Sequence, residues 1–187
     1  MLKRSIVVLV LSLCAPFVLA AEYGLLVPER SRIAFTSKQM GVPVEGEFKR
    51  YKVDVSFDPQ RPETGRARIE VEVDSIDAGS KDANDEVRSK GWFDVKRFPV
   101  AAFVAEAGSV RALGGNRFEA RGKMSIKGRT RDVVVPFTYG TEGTEAVLEG
   151  SIPILRTQYG IGEGAWSDTS VVADEVPVRF RLVLKPR

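Results

Sequence analysis

Three stretches of this chain alternate apolar and polar side chains at a period of two, a pattern that suits a strand and not a helix. In residues 65–74, Ala67, Ile69, Val71 and Val73 interleave with Arg66, Arg68, Glu70 and Glu72. Residues 117–127 set Phe118, Ala120, Gly122, Met124 and Ile126 against Arg117, Glu119, Arg121, Lys123, Ser125 and Lys127. Residues 176–185 set Val176, Val178, Phe180, Leu182 and Leu184 against Arg179, Arg181 and Lys185. Such strands have one buried and one wet face, as in antiparallel sheets. Further strands are expected at 23–27, 32–38, 44–57, 100–113, 130–139 and 144–156. The stretch 44–57 is long enough to bend or split. Turn chemistry separates the strands at Asp58-Pro59 to Gly65, Gly114-Gly115-Asn116, Lys127-Gly128 and Gly140 to Gly143.

One segment, residues 82–103, breaks the pattern. Asp82 is placed to cap a short helix over 83–90, with Asp85 and Glu86 favourable to the dipole in its first turn and Gly91 a natural stop. The pair Trp92-Phe93 follows at once, and Phe98-Pro99 ends regular structure before the next strand. A capped turn that carries aromatics onto an all-β body reads equally well as a lid over an apolar interior or as a crossover helix covering a sheet edge.

The first 21 residues are set apart from the fold. Lys3 and Arg4 precede an apolar run at 5–13 that is too short to span a bilayer, and Val18-Leu19-Ala20 leads to a cleavage point after Ala20 or Ala21. This is the form of a secretory signal, removed to leave residues 22–187 as one exported, periplasmic domain. Cys14 follows Leu13, not the small residue that precedes a lipidated cysteine, and is expected to leave with the signal. No later stretch is long and apolar enough for a membrane helix, so the chain is not expected to span a membrane by helices; transient membrane contact and a homodimer stay open.

The remainder has no cysteine and no histidine, so it uses no disulfide and has no Ser-His-Asp, Cys-His, HExxH or haem-ligating imidazole. No metal, cofactor or covalent nucleophile is expected, and no catalytic residue is assigned. Asp82, Asp85 and Glu86 are adjacent carboxylates, but their spacing matches no ligand loop, and capping and solubility are their ordinary work. Gly160, Gly162 and Gly164 do not join a strand to a helix as a phosphate loop does, and read as a flexible turn. Without Lys3 and Arg4, 26 basic side chains face 25 acidic ones. That balance attracts no polyanion, so no nucleic-acid partner is expected.

About eight or nine short-linked strands favour an up-and-down meander, and eight antiparallel strands closed into a barrel leave no edges. The fold class is therefore all-β, a closed antiparallel eight-stranded barrel with one short helix. Its interior is filled by side chains or left open for one small ligand. Two Trp and four Tyr are too few for the two aromatic girdles of an outer-membrane barrel.

With these segments placed, the chain resembles the YceI-like family of exported lipocalin-like barrels that bind polyisoprenoids or other long-chain lipids. The resemblance covers nearly all of the exported chain. It rests on Ser31-Arg32-Ile33-Ala34-Phe35, on Val44-Glu45-Gly46-Glu47-Phe48, and on Val87-Arg88-Ser89 before Trp92-Phe93-Asp94 and Phe98-Pro99. It continues in Gly122-Lys123-Met124-Ser125-Ile126-Lys127-Gly128 with Val133-Val134-Val135, and in Arg156 with Tyr159-Gly160-Ile161-Gly162. The chain departs from the pattern at Lys38-Gln39-Met40, where the family often has a histidine, and at Gly91, where an Asp is common.

The resemblance implies a long apolar cavity along the barrel and a carrier for an isoprenoid or fatty-chain lipid. The apolar faces offer Phe35, Phe57, Ile69, Val71, Phe103, Met124, Ile126, Phe137, Ile154 and Phe180 as lining, although residues of the same type also simply pack. Trp92, Phe93 and Trp166 suit a mouth, where an indole turns its ring inward and its N–H outward. Arg156 is placed either to meet a ligand head group or to form a salt bridge with Asp94 or Asp168. A lipid-modifying enzyme using carboxylate or Arg156 chemistry, and a protein-interaction module around a structural lipid, are the alternatives.

Overall fold

The computed structural model describes residues 22–187, so the expected signal segment with its cleavage point and Cys14 lies outside the described residues. The strands are β1 (Tyr23–Leu26), β2 (Arg32–Gln39), β3 (Val42–Phe48), β4 (Tyr51–Ser56), β5 (Arg66–Glu72), β6 (Ile76–Asp77), β7 (Val100–Ala105), β8 (Val110–Gly114), β9 (Arg117–Ile126), β10 (Arg129–Glu142), β11 (Glu145–Leu155) and β12 (Glu175–Pro186). One helix, α1 (Lys81–Arg88), falls between β6 and β7. The fold is all-β with this single α-helix among the described residues.

All strands belong to one sheet with the order β4-β5-β7-β9-β10-β11-β12-β2-β3-β6, with β1 beside β12 and β8 beside β9. Every pairing is antiparallel. The sheet is curled into an open half-barrel, and a closed ring of eight strands is not what its ladders form. The path has two ends because the long stretch 44–57 takes the split that its length allows, at Lys49-Arg50. β3 pairs with β2 and β4 with β5, at opposite ends of the path. The split is held by Ser75, whose hydroxyl accepts the Arg50 N–H at 2.9 Å, and by the Glu72 N–H donating to the Arg50 carbonyl at 3.0 Å.

The stretch 100–113 also proves to be two strands, β7 and β8. The chain turns at Gly108, which has φ 86° and donates its N–H to Glu63 O at 2.7 Å. Alternation of small and apolar residues on both sides of that turn conceals it in the sequence. At the other hairpin the strand runs through Gly140 to Glu142, and only Gly143, with φ 62°, makes the turn.

α1 starts two residues earlier than its sequence suggests. Ser80 is the cap, accepting the Ala83 N–H at 3.2 Å, and Asp82 lies inside the first turn. The helix closes at Ser89, short of Gly91. Arg88 ties it to the segment after β5 through the Asp74 carbonyl at 2.8 Å.

The end of the half-barrel away from α1 has an aromatic floor. Phe57 packs on Phe118, Phe137 and Tyr139 with ring centroids 5.1, 5.5 and 5.8 Å away, the two phenylalanine contacts being edge-to-face. Such pairs add about 0.5–1.5 kcal/mol each to the area they bury. Tyr23 on β1 exchanges both backbone hydrogen bonds with Phe57, at 2.9 and 3.0 Å, and so draws the N-terminal strand across this floor.

Candidate functional site

Above the floor the inner faces of the strands enclose a cavity of about 560 Å³. This lies within the range of about 300–1,000 Å³ typical of small-molecule sites. All fourteen candidates named from the sequence line it: Phe35, Phe57, Ile69, Val71, Trp92, Phe93, Phe103, Met124, Ile126, Phe137, Ile154, Arg156, Trp166 and Phe180. For those on strands, period-two alternation explains why: on β2, β5, β9 and β12 every second side chain points inward.

The cavity stays open because three of its phenylalanines lie against glycines of neighbouring strands. Phe35 is the register partner of Gly46, and Phe180 that of Gly150. A Cβ at Gly46 would meet the Phe35 ring at 2.2 Å, one at Gly150 the Phe180 ring at 2.6 Å, and one at Gly122 the Phe103 ring at 2.7 Å. Each missing side chain gives a ring room along the wall, away from the lumen. Alternation puts Gly122 on the inward face, but it gives these glycines no role. A glycine directly opposite an aromatic in register is the signal that finds Gly46 and Gly150, whereas Gly122 lies two residues from Met124, the register partner of Phe103.

The α1 end is closed by a cluster that the sequence only half revealed. Trp92 and Trp166 stand 5.8 Å apart, tilted by 58°. One carboxylate oxygen of Glu86, Oε1, accepts both indole N–H groups, at 3.1 Å from Trp92 and 2.7 Å from Trp166. Glu86 itself lines the cavity. Its sequence context gives it only the role of a solvated helix acid. Its link to Trp166, 80 positions away, has no local signature. The Gly91 carbonyl strengthens the same junction by accepting the N–H groups of Gly162 and Glu163, at 3.0 and 2.8 Å.

Arg156 stands at this end, 2% exposed. The expected salt bridge to Asp94 or Asp168 does not form: Asp94 faces Arg97 at 3.5 Å and Asp168 holds Ser170. The guanidinium instead donates to four backbone carbonyls, of Ala173 at 3.2 Å, Ile161 at 2.9 Å, Gly162 at 3.0 Å and Val172 at 2.7 Å. The fork of donors thus stitches the loop after β11 to the chain entering β12. Gly162 has φ 74°, and a Cβ there would lie 2.4 Å from Nη1, so the loop wraps the guanidinium at the closest possible approach. Within the run expected as a flexible turn, Ile161 and Gly162 form a collar around this cation. Burial lowers the guanidinium's pKa from its ordinary value, partly offset by Asp174. The charge sits 6.0 Å from the Trp92 ring centroid, so it also backs the aromatic cap.

The arrangement can hold a long apolar molecule between an aromatic floor and an indole cap, with polar groups at the cap end. No group of three or more metal-ligating side chains occurs among the described residues. No described helix is long and apolar enough to cross a membrane.

A YceI-like domain model matches residues 25–184. The crystal structure of Burkholderia cenocepacia BcnA superposes with a TM-score of 0.81 at 42% identity, covering 84% of this chain and 98% of that one. A polyisoprenoid binding domain from Saccharophagus degradans superposes at a TM-score of 0.67 and 16% identity, over 89% of this chain and 99% of its own. A UPF0312 protein of Pseudomonas savastanoi pv. phaseolicola is 27% identical over 183 residues, 90% of this chain and 93% of its own.

Proposed function

The chain belongs to the YceI-like family, and from that premise we propose that it is a binding protein that sequesters one isoprenoid or other long-chain lipid and carries it through the periplasm. The observation that carries this reading is the apolar cavity of about 560 Å³ between the aromatic floor and the Glu86–Trp92–Trp166 cap. The likeness in fold to a polyisoprenoid binding domain supports it. Binding is driven by burial of the ligand's methylenes, about 0.8 kcal/mol for each before ordering costs. The apolar lining residues supply the contact surface, and none of them is assigned a catalytic role.

Export follows from the basic and apolar pattern of residues 1–21, and the mature chain is to begin at Ala21 or Glu22. Mass spectrometry of the protein purified from the compartment of its native cell that houses it tests both parts. The expected result is an intact mass lacking the first 20 or 21 residues, together with one extractable long-chain lipid per chain. A lipid-free protein that fails to bind any long-chain probe would overturn the carrier reading. Chemical conversion of an added lipid would replace it with an enzyme.

A further inference from the structure

The charged groups lining the cavity, two acidic and two basic, are unevenly placed along it. Asp82 and Glu86, one helical turn apart on the same face of α1, both line it. The ion pairs of this helix run elsewhere, from Asp85 to Lys81 at 2.5 Å and to Arg88 at 3.6 Å. Glu86 uses Oε1 for the two indoles, and its Oε2 takes no hydrogen bond from the described residues. Ser37 and Gln39 reach the same lining from β2, at the inward positions that follow Phe35. The backbone bridge from Gln39 to Val172, whose carbonyl holds Arg156, fixes them at the cap end. The one cation there, Arg156, spends four of its N–H groups on carbonyls and has a single N–H of Nη2 left.

We propose that this end of the cavity, Ser37 and Gln39 with Asp82, Glu86 and the last N–H of Arg156, recognises an uncharged, hydroxyl-bearing head group and rejects the phosphate of the same chain. The inference rests on the lipid-binding reading and deepens it. A hydroxyl donates to a carboxylate oxygen and accepts from an amide or guanidinium N–H, so every group in the set finds a partner. A phosphate brings negative charge beside two carboxylates, and one N–H is too little to replace its lost hydration. The other cation on the lining, Arg66, pairs in register with Ser56 at the opposite end of the cavity, so it does not serve this site.

The test compares geranylgeraniol with geranylgeranyl phosphate, which share one chain, in titrations of the delipidated full-length mature protein. The alcohol is expected to bind more tightly by about tenfold or more, the effect of about 1.4 kcal/mol of discrimination. Asp82→Asn and Glu86→Gln are each expected to shrink that ratio. Asp82→Asn serves as the arm that leaves the indole hydrogen bonds in place. Arg66→Gln is expected to leave the ratio unchanged. Equal or tighter binding of the phosphate by the unmodified protein would overturn this inference while leaving the carrier reading intact. So would a ratio that ignores Asp82 and Glu86 but follows Arg66. Failure of both probes to bind would bring down the carrier reading itself, and this inference with it.

Discussion

Phe35 and Gly46 face each other in register across β2 and β3, and a Cβ at Gly46 would come within 2.2 Å of the Phe35 ring. The ring fills the place of the missing side chain. Gly46→Ala should push Phe35 into the lumen and press on the Asp77 carbonyl, which lies 2.7 Å from the same Cβ position. The expected outcome is a stability loss of about 1–3 kcal/mol, as for overpacked cores, together with weaker uptake of long-chain probes. Urea unfolding and a fluorescent-lipid titration check the two halves. An unchanged midpoint with unchanged uptake would remove Gly46 from the site.

Trp92 separates gate from filler. If it closes the cap end, Trp92→Ala removes a large apolar contact with the ligand and opens the exit. Losing such a contact costs about 2–4 kcal/mol, so lipid release should accelerate by more than about tenfold. Folding stability should fall less than in Phe57→Ala, which leaves a hole at the centre of the aromatic floor. Stopped-flow release and thermal melts on the two variants decide the matter. Lost stability with unchanged release would make Trp92 a packing residue only.

Arg156 should behave as a structural cation. Arg156→Met strands four carbonyls that the guanidinium now satisfies. A loss of at least about 3 kcal/mol is expected, since hydrogen bonds to charged groups are worth about 1.5–3 kcal/mol each. Arg156→Lys should recover little of it, because an ammonium cannot reach carbonyls spread over a planar fork. Chemical denaturation reads both, and near-native stability in either variant would contradict the collar.

Alkaline pH should loosen the floor. Burial, with help from the Tyr23 hydroxyl beside it, raises the Tyr139 phenol to about 12 from an ordinary value of 10.0. Because the folded form holds its proton longer than the unfolded chain, the contribution is full below pH 10 and drains away as pH rises towards about 12. Tyr139→Phe should flatten that decline in denaturant midpoints measured across the window. A wild-type curve already flat between those limits would show that Tyr139 does not titrate as stated.

The inward faces were legible because alternation fixes them locally, and Ile69, Val71, Met124 and Phe180 sit where a period of two puts them. What the sequence did not disclose depends on contacts between distant segments. The sheet's two ends arise where Ser75 captures Arg50, 25 positions away. Arg156 was singled out correctly, yet a carboxylate was the expected partner. Carbonyls serve instead, and the backbone supplies them at every residue without a compositional trace. Glu86 looked like a solubilising acid because its two indole partners converge on it only after the sheet has curled.

The collar around Arg156 has a consequence for the medium in which the protein works. Dissolved ions screen full charges facing water, so the outer ion pairs of Arg30 with Glu142 and Glu145 fade as ionic strength rises. The Arg156 fork is buried and is held by the dipoles of four peptide groups, out of reach of that screening. Brine that strips the outer surface of its electrostatic ties leaves this clasp at full strength, so the cap end should outlast the ion-paired exterior in concentrated salt.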